Sequence, residues 1–327
     1  MSNRFLYLLL VLFVLAACKQ EGKYNVKTNE LAIEKAEPVV VLPTKNNRDT
    51  GAVSLSGKYL ISPEPSPELQ SKLDDKKQAY YADTSNLDNL IWYGRFLAYA
   101  GQYGEAIKLY TDGIDRFPDE PRLYRHRGHR YITLRKFRRA ISDFEQAKLL
   151  MEGMPIQVEE DGMPNEQNIP VSSLQSNVLY HLGLAYYLIN DLDGAEEHFT
   201  SCMNLNTNDD NYISAMYWKY MIMRRGGAFK SAKRFITEMK QDLNIIENHA
   251  YHKICLFYQQ SLSEYDLREF SKDLAQPSKT AINYAIANWN LFQNKPDIAQ
   301  AEFRKITRGS DWSSFGFIAA EADLQRF

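Results

Sequence analysis

An all-α, right-handed solenoid of stacked helix-turn-helix repeats is the fold class this sequence predicts. Three observations carry it. A set of large apolar residues, glycines and alanines recurs at a spacing of 34 residues between Ala106 and Ala140, and a period of that length signals a stack of supersecondary units. The same set returns at Ala195, after an insertion rich in Gly, Pro, Asn and acid. Helical patterns with cap signals flank the set at both ends.

At the N-terminus, Arg4 precedes an unbroken apolar run from Phe5 to Ala17. Crossing a bilayer as a helix needs about 20 residues, so residues 1–17 read as a secretory signal and not as a span. The run closes on Leu15-Ala16-Ala17-Cys18. These four residues resemble the lipobox of bacterial lipoproteins, which implies that Cys18 is acylated and becomes the new N-terminus. Lys19, standing where proteins kept in an inner membrane often carry Asp, implies an outer-membrane address in the cell envelope. Residues 18–65 lack a sustained apolar period and read as the lipidated N-terminus plus a flexible tether with a reach of about 40 Å. With Cys18 consumed, Cys202 and Cys255 fall in non-adjacent repeats. They are expected as small buried residues and not as a bridge, which requires Cα atoms within about 7 Å.

Residues 66–327 form the repeat domain. Ser66-Pro67 is an N-cap followed by proline at the first helical position, opening a helix to about Tyr81. The first repeat carries Leu90, Tyr93-Gly94, Leu97, Ala106, Tyr110 and Gly113. The second carries Tyr124, Arg127-Gly128, Tyr131, Ala140, Phe144 and Ala147. Met151 to Val171 is an inserted loop. A third repeat follows with Leu179, Leu182-Gly183, Tyr186, Ala195, Phe199 and Cys202. A weaker fourth has Met216, Tyr220, Ala232 and Ile236, and a degenerate fifth spans Asn248 to Lys272. A sixth has Ile286-Ala287, Ala299 and Phe303, and Phe315 to Arg326 reads as a terminal capping helix, polar on its outer side. This pattern resembles the tetratricopeptide repeat over Leu87 to Ile306, and the whole chain resembles bacterial tetratricopeptide lipoproteins. The resemblance implies a binding surface for a protein or extended peptide.

No Gly-rich phosphate loop, nucleophile elbow, His-Glu-x-x-His or Cys-x-x-Cys is present, so neither enzyme activity nor a cofactor is expected. The pairs His126/His129 and His249/His252 have helical spacing for a shared metal, but neither has a further ligand nearby, and a zinc site usually needs three or four. No metal is expected. A formal net charge of −2 gives no global attraction to nucleic acid. One local bias stands out: Arg122 to Arg139 holds eight Lys or Arg and no acid. It reads either as a solvated face paired with Asp112, Asp115, Asp119 and Glu120, or as part of a groove. By family geometry, Arg95, Arg122, Arg125 and His129 would line that groove with Tyr99, Tyr180, Tyr187 and Tyr217. Ile91, Arg95 and His126 replace residues of the carboxylate clamp found in some tetratricopeptide domains, so chaperone-tail binding is not implied. The expected function is a lipid-anchored envelope scaffold that binds a protein or extended, anionic peptide and meets the membrane through its N-terminal lipid. The alternatives are an envelope enzyme using the His pairs or the inserted loop, and a binder of an anionic envelope polymer.

Overall fold

The computed structural model describes residues 51–205 and 207–327. The expected signal segment, Cys18 and the expected tether up to residue 50 lie outside the described residues. Helix α1 (Pro67–Ala82) is followed by six helix pairs: α2/α3 (Leu87–Tyr99, Tyr103–Arg116), α4/α5 (Pro121–Thr133, Phe137–Leu150), α6/α7 (Leu174–Leu188, Leu192–Asn204), α8/α9 (Asp209–Arg225, Phe229–Thr237), α10/α11 (His249–Tyr258, Glu264–Ser271) and α12/α13 (Gln276–Phe292, Pro296–Ile306). A last helix, α14 (Phe315–Leu324), closes the described chain. The six repeats therefore fall where the sequence pattern places them, and the insertion separates α5 from α6.

Local chemistry sets these boundaries. Ser66 accepts from the Leu69 amide at 3.2 Å with Pro67 behind it, and Asn86, Asp191, Asn208, Ser263 and Ser314 cap later helices in the same way. Each turn inside a repeat contains one left-handed residue: Gly101, Arg135, Asn190, Gly227, Gln260 and Asn294. That backbone signature marks the degenerate fifth repeat as clearly as the regular ones. Glycine is required where helices of a pair touch. A Cβ on Gly94 would lie 2.5 Å from the Tyr110 ring, and one on Gly183 would lie 2.9 Å from Phe199. Buried Asp210 of the fourth repeat accepts the amides of Ile246, Glu247 and Asn248 at 3.0, 2.9 and 2.7 Å, fixing the entry to α10 of the fifth.

Two expectations are corrected. The tether does not run free to residue 65: Ala52–Val53 (β1) and Tyr59–Leu60 (β2) pair as an antiparallel hairpin, and the Ile61 carbonyl accepts from Trp312 Nε1 at 2.9 Å. Nor is α14 a cap with a polar outer side. Residues Gly316 to Asp323 are all buried, because α14 packs on α12 and α13 and also reaches back to α6. Helices apolar all round belong in an interior, and the two acids of α14 are met there by arginines from distant repeats. Glu321 accepts from Arg135 Nε at 2.8 Å, and Arg135 also donates to the Trp312 carbonyl at 2.8 Å. Asp323 accepts from Arg225 at 2.6 Å and from the Tyr284 hydroxyl at 2.7 Å, while Arg225 donates to Asn288 at 2.6 Å.

Arg135 holds a left-handed conformation (φ 60°) that strains a non-glycine residue by roughly 1–2 kcal/mol. Arg135→Gly relieves that strain but leaves Glu321 buried without its cation, so a net loss of about 3 kcal/mol is expected in urea denaturation. Adding Glu321→Leu should recover most of the loss, because the stranded charge is then gone. Equal stability of Arg135→Gly and the parent would show that this pair does not hold α14.

Candidate functional site

Helices α2, α4, α6, α8 and α12, the first helices of their repeats, touch one another in a row and form one continuous face. That face is the expected groove, and two segments of the chain itself cover much of it. One is α14: its first residue, Phe315, lies 5.4 Å from the ring of His129 and 5.4 Å from His181. The other is the insertion, residues 151–171, which forms a strap. It is pinned where Val158 bridges Ser173, where Gln175 accepts the Gln157 amide at 3.0 Å, and where the Asn165 side chain donates to Glu247 at 2.5 Å.

Between strap and helices lies a cavity of about 150 Å³. Arg95 from α2 and Arg125 and Arg130 from α4 wall it, and Glu159, Glu160 and Asp161 of the strap lie across it. Arg95 donates to the Glu160 carbonyl at 2.8 Å and to the Tyr99 hydroxyl at 3.3 Å. Arg125 pairs with Glu159 at 2.8 Å, with side-chain exposures of only 11% and 10%. Asn177 also donates to Glu159. The pairing is incomplete: Arg125 Nε and Glu159 Oε1 are buried without a hydrogen-bond partner. Arg130 is half-buried and meets no carboxylate among the described residues, and burial lowers its pKa. Glu160 and Asp161 stand exposed at the rim, where Asp161 accepts the Met163 amide at 3.0 Å. Beyond His129 a second hollow of about 300 Å³ is walled by Tyr251, Ser278 and Phe315.

The expected site residues divide accordingly. Arg95, Tyr99, Arg125 and His129 line the cavity, and the strap's Gly162 sits against the Tyr99 ring. Arg122 points away, bound to Glu120 and Asp88 at 2.8 Å each. Tyr187 and Tyr217 are core residues, 0% and 1% exposed, which corrects their placement on the groove surface. Tyr187 shares a hydrogen bond with Tyr284 at 2.7 Å. Tyr180 is half-buried, its hydroxyl accepting from Trp218 at 2.7 Å and facing Tyr251 at 3.2 Å. Of the acids expected to neutralise the basic tract, Glu120 alone pairs with it, through Arg122; Arg125, Arg127 and Arg135 find Glu159, Asp143 and Glu321. A charge reversal at Arg125 is therefore not a surface change. Arg130, Glu159 and Asn177 were missed as site residues. The signal for them is the acidic run Glu159-Glu160-Asp161 in an insertion that follows a basic tract free of acid.

The histidine pairs are not built alike. His126 stacks on Tyr110 at 5.7 Å beside Arg125, His129 lies 4.4 Å from His181, and His249 is exposed. Among the described residues no three His, Cys, Asp or Glu side chains converge as metal ligands. Cys202 and Cys255 are separate, buried thiols, and burial pushes Cys202 up to about 12.

Residues 176–209, the third repeat, match the tetratricopeptide repeat family. With the helix pairs before and after it, that repeat makes the chain an all-α solenoid of tetratricopeptide type, a fold that suits a protein-binding scaffold. No curated relative matches the chain. Among solved structures it is similar to YrrB, a tetratricopeptide protein with an unusual peptide-binding site, at 14% identity over 72% of this chain and 92% of that one, with a TM-score of 0.41. A tetratricopeptide repeat protein from Parabacteroides merdae is similar at 17% identity over 74% and 86%, with a TM-score of 0.45. What YrrB binds stays with YrrB.

Burial, and then the charge of Arg125, holds His181 down from 6.5 to about 3. Burial also takes His126 and His129 well below their usual value, with Arg125 and Arg130 adding to it. In the unfolded chain these imidazoles bind protons below about pH 6.5 while the folded ones stay neutral. Their contribution is therefore complete above about pH 6.5 and is lost as pH falls toward about 3. Urea midpoints should drop between about pH 7 and about pH 5, and His181→Phe should drop less than the parent. An identical drop in both proteins would remove His181 from the acid sensitivity.

Proposed function

We propose that this chain is a lipid-anchored scaffold of the bacterial cell envelope that holds an acidic, extended segment of a protein partner on the first-helix face. The observation that carries the reading is the cavity walled by Arg95, Arg125 and Arg130. Three guanidiniums line it, and one of them, Arg125, meets the largely buried carboxylate of Glu159 at 2.8 Å. Guanidinium groups recognise carboxylates through paired, directional hydrogen bonds. The envelope address rests on Leu15-Ala16-Ala17-Cys18 at the N-terminus. Among the described residues no helix is long and apolar enough to cross a membrane. The reading is of a binding protein without catalysis.

Two variants test it in native cells. Cys18→Ser should move the chain from the membrane fraction to the soluble fraction; retention of Cys18→Ser in the membrane removes the anchor from the account. Arg95→Gln with Arg130→Gln should reduce crosslinked partner about tenfold or more, as expected when charge-assisted hydrogen bonds are lost. Lys108→Glu, an exposed side chain paired with Asp112 at 2.6 Å on α3, is the control. Undiminished crosslinking in the double variant would place the partner elsewhere.

A further inference from the structure

The strap brings its own acidic run, Glu159-Glu160-Asp161, onto Arg95, Arg125 and Arg130, and the fit there is partial. Arg95 is held by a backbone carbonyl of the strap, Arg125 by Glu159 through one nitrogen and by the ring of His126 through another, and Arg130 by no carboxylate among the described residues. Arg125 Nε and Glu159 Oε1, both buried, make no hydrogen bond, and His126 Nε2 approaches Glu159 Oε1 only to 3.9 Å. From this juxtaposition we propose that residues 159–161 are an internal stand-in for the partner, and that the site recognises two or three consecutive acidic residues in extended backbone, admitted when the strap lifts. The inference rests on the reading above and gives it a recognised sequence and an internal competitor.

The geometry supports exchange. Glu159 sits in the extended stretch that bridges Ser173, its amide donating to the Ser172 carbonyl at 3.0 Å, so an incoming strand has a template for both backbone and carboxylate. At its far side the strap is tied to Glu247 through Asn165, an exposed contact that can open without disturbing the core. A partner segment with two adjacent carboxylates would engage Arg125 and Arg130 together, which Glu159 alone does not. Competition by the strap lowers apparent affinity in proportion to the fraction of molecules in which it is lifted.

The test measures fluorescence anisotropy of a labelled Gly-Glu-Glu-Asp-Gly peptide with the full-length chain in detergent, using a Gly-Gln-Gln-Asn-Gly peptide and inorganic phosphate as separate probes. Glu159→Gln should bind the acidic peptide about fivefold tighter than the parent, and Glu160→Gln with Asp161→Asn, both exposed in the structure, should also tighten it. Arg130→Gln should weaken it about tenfold, and the neutral peptide should not bind. If the parent binds the acidic peptide and Arg130→Gln abolishes binding, but neither strap variant tightens it, the internal-competitor proposal is overturned while the scaffold reading stands. If no variant binds the acidic peptide, both fall. If phosphate binds as tightly as the peptide and shows the same dependence on the variants, the site takes a small anion and the extended-segment proposal is overturned.

Discussion

The return of α14 into the solenoid, held by Arg135 to Glu321 and by Arg225 to Asp323, is the constraint on which the rest of the structure depends. A tetratricopeptide array stacks through neighbours only and leaves its first-helix face open. Here two arginines from the second and fourth repeats reach one terminal helix, across 186 and 98 residues of sequence. Removing such charges from water is expensive, and one partner without the other is strongly unfavourable. Each acid is therefore an address: α14 is stable only where both arginines meet it. Tyr284, Tyr187 and Asn288 complete the polar network around Arg225 and Asp323, and Trp312 ties the same corner to the N-terminal hairpin. The fit still leaves tension: burial raises the pKa of Glu321 even beside Arg135.

How far the sequence discloses this follows from the range of the interactions. The repeats are legible because their signature is local. Gly94 must be small to admit Tyr110, Gly183 to admit Phe199, and the same demand recurs one period later. Insertion boundaries are legible for the same reason, since a run of Gly, Pro and Asn interrupts the period. Closure is not legible in this way, because no neighbour rule connects Arg135 with Glu321. A clue does exist in Phe315-Gly316-Phe317-Ile318-Ala319-Ala320, which is apolar on every side and so unlike a cap. Tyr187 and Tyr217 escape a local reading for a related reason: family geometry assigns them to an open face, and side chains of later repeats, Tyr284 on Tyr187 and Tyr251 and Tyr258 on Tyr217, cover them.

The candidate site shows the same division. The basic tract is visible in the sequence, but its arginines are distributed one by one to different acids, and only Arg125 and Arg130 turn toward the cavity. Their selection depends on the strap, which gives the site a carboxylate from within the chain and screens it from solvent. A partly buried guanidinium cluster exerts a stronger field than an exposed one, since less water screens it. The fold thus gathers the charge of the first-helix face into one recess beneath the strap.

Native-state hydrogen exchange of the α14 amides tests the central claim most directly, because it reads the stability of that helix against the array around it. If α14 is an interior element of the solenoid, the amides from Phe317 to Leu324 exchange only with global unfolding, at the same free energy as the core amides of α6. Exchange of α14 at a markedly lower free energy, with α6 still fully protected, would contradict the account and leave the first-helix face open.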